Sequence, residues 1–369
     1  MKDNWISTPE FIPKTNMKSP TDTLRRTKYH LHRILSSVEN SILEESGNKP
    51  RILFVAPHLS TGGMPQYLYK CIEKLLPEGE IYCVEYNNVS DEFVVQRQRI
   101  QNLLGENYFR IDTEDKNEFL EIVERVCPDV IHFQDFVEFF VGDDICRKIF
   151  APDRPWFIFE TCHSSNVKIL DKFWAPDKLV MVNKWMTEVF KSSGFELDIL
   201  EYPIEDFIGV GKESAREQLG LDPNKKHVIN IGLFTPGKNQ GELMEYARIL
   251  ENEQIEFHFI GNLAGNFQEY WEPLMKNVPR NCRIWGERHD TDLFYEAADL
   301  FVFSSIWELN PIVIKESLSW NLPILMRRLP SYMDDYDETP LVHFYSNQEP
   351  VTDHEYNVEL IRKILNLQA

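Results

Sequence analysis

Glu308 and Glu316 are two carboxylates with seven residues between them, in the stretch Ser304-Ser305-Ile306-Trp307-Glu308-Leu309-Asn310-Pro311-Ile312-Val313-Ile314-Lys315-Glu316. Carboxylates can accept hydrogen bonds from hydroxyls or flank a reacting centre, but in a chain with 59 acidic residues the spacing alone means little. The surroundings mean more. The apolar run Leu300-Phe301-Val302-Phe303 predicts a strand buried on both faces of a parallel sheet. Asn310 and Pro311 predict a helix start, with Asn310 as N-cap and Pro311 at the first helical position, where a missing N–H costs nothing. A tight loop between a strand and a helix N-terminus turns free backbone N–H groups and the positive end of the helix dipole toward an anion. A diphosphate fits such a place. Glu316, about one and a half turns into the helix, then reaches the hydroxyls of an attached ribose, and Glu308 faces what lies beyond the phosphates.

Other residues that could do chemistry sit in similar settings. Gly232-Leu233-Phe234-Thr235-Pro236-Gly237-Lys238-Asn239 leaves a buried strand and enters a helix. Ser60-Thr61-Gly62-Gly63 does the same after the first strand, and its glycines let backbone approach a ligand closely. It is not the GxGxxG dinucleotide fingerprint. His132 and His163 close strands, whereas His258, between Phe257 and Phe259, reads as a core residue. No Ser-His-Asp set is readable, and no metal site is expected. The six cysteines are scattered without CxxC or metal-ligand spacing, which points to reduced thiols and a cytoplasmic location.

Positioning these loops requires alternating strands and helices. In the first half the strands are 51–57, 80–86, 130–133, 156–161 and 178–182; in the second they are 227–232, 256–260, 282–285, 300–303 and 323–326. Helices between them, such as 64–76, 118–126, 240–251 and 291–297, imply right-handed crossovers and sheets covered on both faces. With 369 residues, 43% hydrophobic, the chain is long for one core. The expected fold is α/β: two Rossmann-like, doubly wound parallel-sheet domains facing each other across a cleft. The expected divisions are a polar helical extension over 1–48, a first Rossmann-like domain over 49–205, a second over 206–350, and 351–369, whose helix (357–367) is placed to cross back to the first domain. The extension carries a helix over 21–46 whose basic first half (Arg25, Arg26, Lys28, Arg33) suits either a solvated edge or contact with an anionic membrane surface or partner. A net charge of −20 argues against a nucleic-acid surface. No apolar stretch approaches the roughly 18 residues of a membrane span, and the first residues do not form a secretory signal.

Over roughly residues 50–330, and most strongly over 228–326, the chain resembles retaining glycosyltransferases of the GT-B fold, in particular the family 4 group that uses sugar nucleotides. The resemblance implies that 49–205 is the acceptor domain and 206–350 the nucleotide-sugar donor domain, that Glu308 contacts the donor sugar, that the amides of Leu309, Asn310 and Ile312 hold the diphosphate, and that Glu316 holds the ribose. It implies a phosphate-neutralising role for Lys238, a border of donor and acceptor at Gly62 and Gly63, and a place for His163 beside the reaction centre. The chain departs from the family at two points. Leu233 stands where an arginine is usual, so one positive charge is missing, and Arg288 compensates only if its loop faces the cleft. Asn321 stands where a glycine usually ends the helix, and asparagine is the next best residue for a left-handed cap. The implied activity is transfer of a sugar from a nucleotide-sugar donor to a carbohydrate, lipid or protein acceptor, with no cofactor and no metal. Two other readings stay open on the sequence: a sugar-nucleotide epimerase of the same two-lobed architecture, and a catalytically silent nucleotide-sugar-binding or scaffold protein.

Overall fold

The computed structural model describes residues 49–367 apart from 61, 87–94, 112–114, 137–140, 164–172, 200–207, 333–334 and 346–353. The basic N-terminal helix expected over 21–46 lies outside the described residues, as do the junctions near 205 and 350.

In chain order the first half runs β1 (Arg51–Ala56), α1 (Gly63–Leu75), β2 (Glu80–Glu85), α2 (Val95–Leu104), β3 (Tyr108–Arg110), α3 (Asn117–Val126), β4 (Val130–Gln134), α4 (Asp143–Ile149), β5 (Phe157–Cys162), β6 (Lys178–Met181), α5 (Lys184–Phe190) and β7 (Leu197–Ile199). The second runs α6 (Lys212–Leu219), β8 (Lys226–Ile231), α7 (Gln240–Ile249), β9 (Ile255–Ile260), α8 (Gln268–Met275), β10 (Cys282–Gly286), α9 (Thr291–Ala297), β11 (Leu300–Phe303), α10 (Ile312–Ser319), β12 (Ile324–Met326), β13 (Val342–Phe344) and α11 (His354–Leu365).

The strands form two sheets with every pairing parallel: β3-β2-β1-β4-β5-β6-β7 and β10-β9-β8-β11-β12-β13. Parallel strands must be joined by crossovers, so helices cover both faces and the central strands are apolar on both sides. Leu53 and Val55 of β1 pack into one core, Phe54 and Ala56 into the other. In the second sheet Phe301 and Phe303 of β11 face one core, Leu300 and Val302 the opposite one.

The last helix does not cross back. Val358, Ile361 and Leu365 of α11 are buried in the second-domain core beside α7, Asn357 donates to Tyr246 Oη at 3.1 Å, and Arg362 pairs with Glu253. Its apolar face packs into that core, so it closes its own domain.

Candidate active site

Each sheet reverses its strand order once, between β1 and β4 and between β8 and β11. At such a point the chain leaves neighbouring strands for helices on opposite faces, which opens a crevice at their carboxyl ends. The three loops singled out in the sequence follow β1, β8 and β11.

Lys238 and Glu308 meet there in an ion pair, their side chains 30% and 14% exposed, and the Lys238 ammonium lies 5.6 Å from the centre of the Phe303 ring. Backbone bonds fix both loops. Lys238 N–H donates to Thr235 Oγ1 at 3.2 Å, Ser304 Oγ donates to the Lys238 carbonyl at 2.8 Å, Ile306 N–H donates to the Gly237 carbonyl at 2.9 Å, and Ser331 Oγ donates to the Glu308 carbonyl. The β8 and β9 ends come so close that a Cβ on Gly261, whose φ is 155°, would fall 2.0 Å from the Gly232 carbonyl oxygen. Only glycine fits.

Helix α10 begins one residue later than the sequence predicts. Pro311 is its N-cap, in an extended conformation without a side-chain cap bond. Asn310 is drawn away from capping: its Nδ2 donates across the cleft to the Val182 carbonyl at 2.6 Å, while Asn183 Nδ2 of the first domain donates back to the Leu309 carbonyl at 2.5 Å. Leu309 itself is buried against Val182, Met186 and Phe190. Its carbonyl and side chain thus join the domains, a use the sequence did not reveal. The N–H groups of Leu309, Asn310, Ile312 and Val313 have no acceptor among the described residues, so the anion-facing amides expected here are open. At the other end of the helix Asn321 adopts φ 52°, the left-handed cap anticipated for it.

Glu316 faces the junction. Gln66 Nε2 of α1 donates to its Oε1 at 3.0 Å and Tyr295 Oη donates to its Oε2 at 2.8 Å. Burial pushes its pKa up, and these two bonds partly oppose that shift. On the same side a Cβ on Gly63 would sit 3.6 Å from Ile312 Cδ1, so the glycine loop of the first domain lies against the first residue of α10.

His163 ends β5. Its Nε2 is 2.8 Å from Gln134 Oε1; since that oxygen only accepts, Nε2 carries the proton and Nδ1 is left as acceptor. Its ring packs edge-on against Tyr67, and desolvation drops its pKa to about 3, so it is neutral. His132 is bonded to Thr161 at 2.7 Å within the sheet and belongs to the scaffold. Arg288 is committed elsewhere. Asp290 grips its guanidinium at 2.8 and 2.5 Å, it lies over Trp285 and Phe294, and it follows β10, an edge strand separated from β8 by β9. The charge missing at Leu233 is therefore not supplied by Arg288 in this arrangement.

One trio has the composition of a metal site: His227, Glu256 and His258 have ligand atoms within 4.8 Å of one another. Its hydrogen bonds point elsewhere. Trp285 Nε1–H donates to His258 Nδ1 at 3.1 Å, which leaves the proton on His258 Nε2, 3.0 Å from His227 Nδ1; His227 Nε2–H in turn donates to the Asp222 carbonyl at 2.9 Å. Each ring has one donor and one acceptor, both used, and no lone pair is left for a cation. His258 is the core residue it was expected to be.

Residues 211–337 match the family described as Glycosyl transferases group 1. Among curated proteins, the chain is 30% identical over 146 residues to a processive diacylglycerol alpha-glucosyltransferase of Acholeplasma laidlawii, covering 39% of this chain and 42% of that protein. It is 28% identical over 171 residues to an alpha-galactosylglucosyldiacylglycerol synthase of Streptococcus pneumoniae, covering 42% and 45%. The chain thus spans less than half the length of these relatives. Among solved structures, HepE of Anabaena in complex with UDP-glucose superposes with a TM-score of 0.67 at 14% identity, over 86% of this chain and 89% of that one. Sucrose-phosphate synthase of Thermosynechococcus elongatus superposes with a TM-score of 0.62 at 13% identity, over 86% and 90%. The fold is GT-B.

Proposed function

Taking residues 211–337 as a group 1 glycosyl transferase domain, we propose that the protein is a glycosyltransferase that moves a sugar from a nucleotide-sugar donor to a hydroxyl acceptor, with retention of anomeric configuration and without a metal. The observation that carries this reading is the Lys238–Glu308 pair beside the open N-terminus of α10. The donor diphosphate lies against the free amides of Leu309, Asn310, Ile312 and Val313, and Lys238 turns from Glu308 to its oxygens. The ribose takes the place of Gln66 on Glu316. The bond between the anomeric carbon and the diphosphate oxygen breaks, the bond between that carbon and the acceptor oxygen forms on the same face, and the acceptor proton passes to the departing phosphate. Glu308 stabilises the oxocarbenium-like charge that develops on the sugar. Preorganised donors stabilise the leaving group, each helix-end contribution being roughly 0.3–2 kcal/mol, so several must act together. Neutral His163 accepts, through Nδ1, a hydroxyl of donor or acceptor.

The names of the two curated relatives make a diacylglycerol-linked acceptor the first to test. The protein is incubated in EDTA with labelled UDP-, GDP- and ADP-sugars, with diacylglycerol micelles or soluble acceptors. Transfer with one donor is expected, and that donor should raise the melting temperature. Absence of transfer, hydrolysis and stabilisation across the panel would sink the proposal. Conversion of the donor sugar without acceptor would replace it with an epimerase.

A further inference from the structure

Beneath the glycine loop of the first domain lies a buried ion pair to which nothing above assigns a task. Glu85, the last residue of β2, is fully buried, and Arg97 of α2 is 4% exposed. The guanidinium grips the carboxylate at both ends, Nε to Oε2 and Nη2 to Oε1, each at 2.7 Å. Tyr108 Oη of β3 donates to Oε2 at 2.7 Å. The remaining bond to Oε1 comes from the backbone N–H of Leu59 at 2.9 Å, and the carbonyl of the same Leu59 accepts the backbone N–H of Arg97 at 3.0 Å. Leu59 is therefore held on both sides of its peptide backbone, and its side chain is fully buried in the core under α1. Ser60, Gly62 and Gly63 follow at once, and Gly63 lies against Ile312 at the start of α10.

A buried ion pair is an expensive way to fill this space, because apolar side chains of similar volume commonly fold as well or better. What apolar groups cannot do is bind the polar backbone of a loop that leaves a strand end. We propose that Glu85 and Arg97 are positioning residues, which clip Leu59 and thereby fix Ser60, Gly62 and Gly63 against the N-terminus of α10 where donor and acceptor meet. This rests on the glycosyltransferase reading for its consequence in catalysis, but not for the clip itself. The nucleotide is held by the second domain, so loss of the clip acts on turnover more than on nucleotide affinity.

Two variants test it. In the triple variant Glu85→Met, Arg97→Met, Tyr108→Phe the site is apolar and the Leu59 N–H has no side-chain acceptor. In Glu85→Gln, Arg97→Met an amide oxygen again faces it, without charge. For the apolar variant, hydrogen exchange over residues 57–66 should quicken about tenfold or more, and kcat should fall about tenfold or more with nucleotide-sugar Kd within about threefold. The glutamine variant should recover most of both effects. A purely structural role predicts a lower melting temperature for the two variants alike, with native exchange and kcat well below it, and that result overturns the proposal. So does a parallel loss of nucleotide affinity and kcat. If neither variant folds, rapid exchange of the Leu59 amide in the native protein overturns it, and slow exchange supports it. If the native protein transfers no sugar, the glycosyltransferase reading fails while the exchange data still decide the clip.

Discussion

Gln66 of the first domain and Glu316 of the second are joined by a 3.0 Å hydrogen bond, so the carboxylate proposed to hold the donor ribose is also a latch between the domains. Under the proposed reading a ribose O–H takes the place of the Gln66 amide N–H on Oε1. Tyr295 keeps Oε2 in place meanwhile.

Substituting Gln66→Ala should therefore strengthen binding of the nucleoside diphosphate, by about two- to tenfold if one hydrogen bond of about 0.5–1.5 kcal/mol no longer has to be broken. Glu316→Ala should weaken it by about tenfold or more, as for a lost bond to a charged group. Isothermal calorimetry on both variants checks this. Weaker binding by Gln66→Ala would mean that Gln66 itself contacts the nucleotide.

Lys238 is the cation placed beside the open amides of α10, and Leu233 supplies none. Lys238→Met should cost about 1.5–3 kcal/mol in affinity for a nucleoside diphosphate, roughly ten- to 150-fold, and leave binding of the bare nucleoside unchanged. A fluorescence competition titration with both ligands distinguishes the two. An equal loss for the bare nucleoside would show a folding defect instead.

The central strands and the loops that follow β1, β8 and β11 were legible because buried parallel strands are continuous apolar runs bounded by turn residues. The edge strands β3, β7 and β13 were not: each has three residues and pairs on one side only, which leaves little pattern to see. Glu308 and Glu316 could be named because they lie at fixed offsets from a strand end and a helix start, and Lys238 because its loop resembles that of the GT-B glycosyltransferases. Gln66 and Tyr295, the partners of Glu316, and Asn183, the partner of Leu309, could not, since nothing local marks a residue whose bond spans 250 positions, as that of Gln66 does. The Asn310-Pro311 pair shows why local rules fail at a junction. A good N-cap residue is diverted to Val182 because the interface offers it a buried carbonyl. Glu85 and Arg97 escaped notice for a related reason, as charged residues at element ends usually face solvent and these two face each other.

Leu309 and Asn183 join the domains beside the loop that follows β11, so damage there should loosen the interface before either core. Leu309→Ala removes a buried side chain and should cost about 2–3 kcal/mol, toward the low end for a leucine at a site open to relaxation. Asn183→Ala leaves the Leu309 carbonyl without its donor, at about 1–3 kcal/mol. Differential scanning calorimetry should show the native transition broadening or splitting in two for Leu309→Ala. A uniform downward shift with unchanged shape would place Leu309 within a single cooperative unit.

Buried histidines set the acid limit of stability. Desolvation holds His132, His163 and His258 at a pKa of about 3, and lowers those of His58 and His227 as well. In the unfolded chain each titrates near 6.5. Between those values the unfolded state binds protons that the folded state refuses, so stability rises with pH there; it is fully present above about 6.5 and drains away as pH falls. Glu316 and Glu287 work in the opposite sense, because burial raises their folded pKa values and favours the folded state as they become protonated. They are fewer and act from the carboxylate range upward, so the histidines should dominate between pH 6.5 and 5. Each histidine contributes at most about 1.4 kcal/mol per pH unit. Urea unfolding at pH 7.5, 6.5, 5.8 and 5.0 should give a plateau above 6.5 and a steepening decline below, with proton uptake on unfolding of more than one proton at pH 5. A flat profile down to pH 5 would mean that these rings gain protons in the folded state, and the neutral chain from Trp285 through His258 and His227 to the Asp222 carbonyl would have to be redrawn.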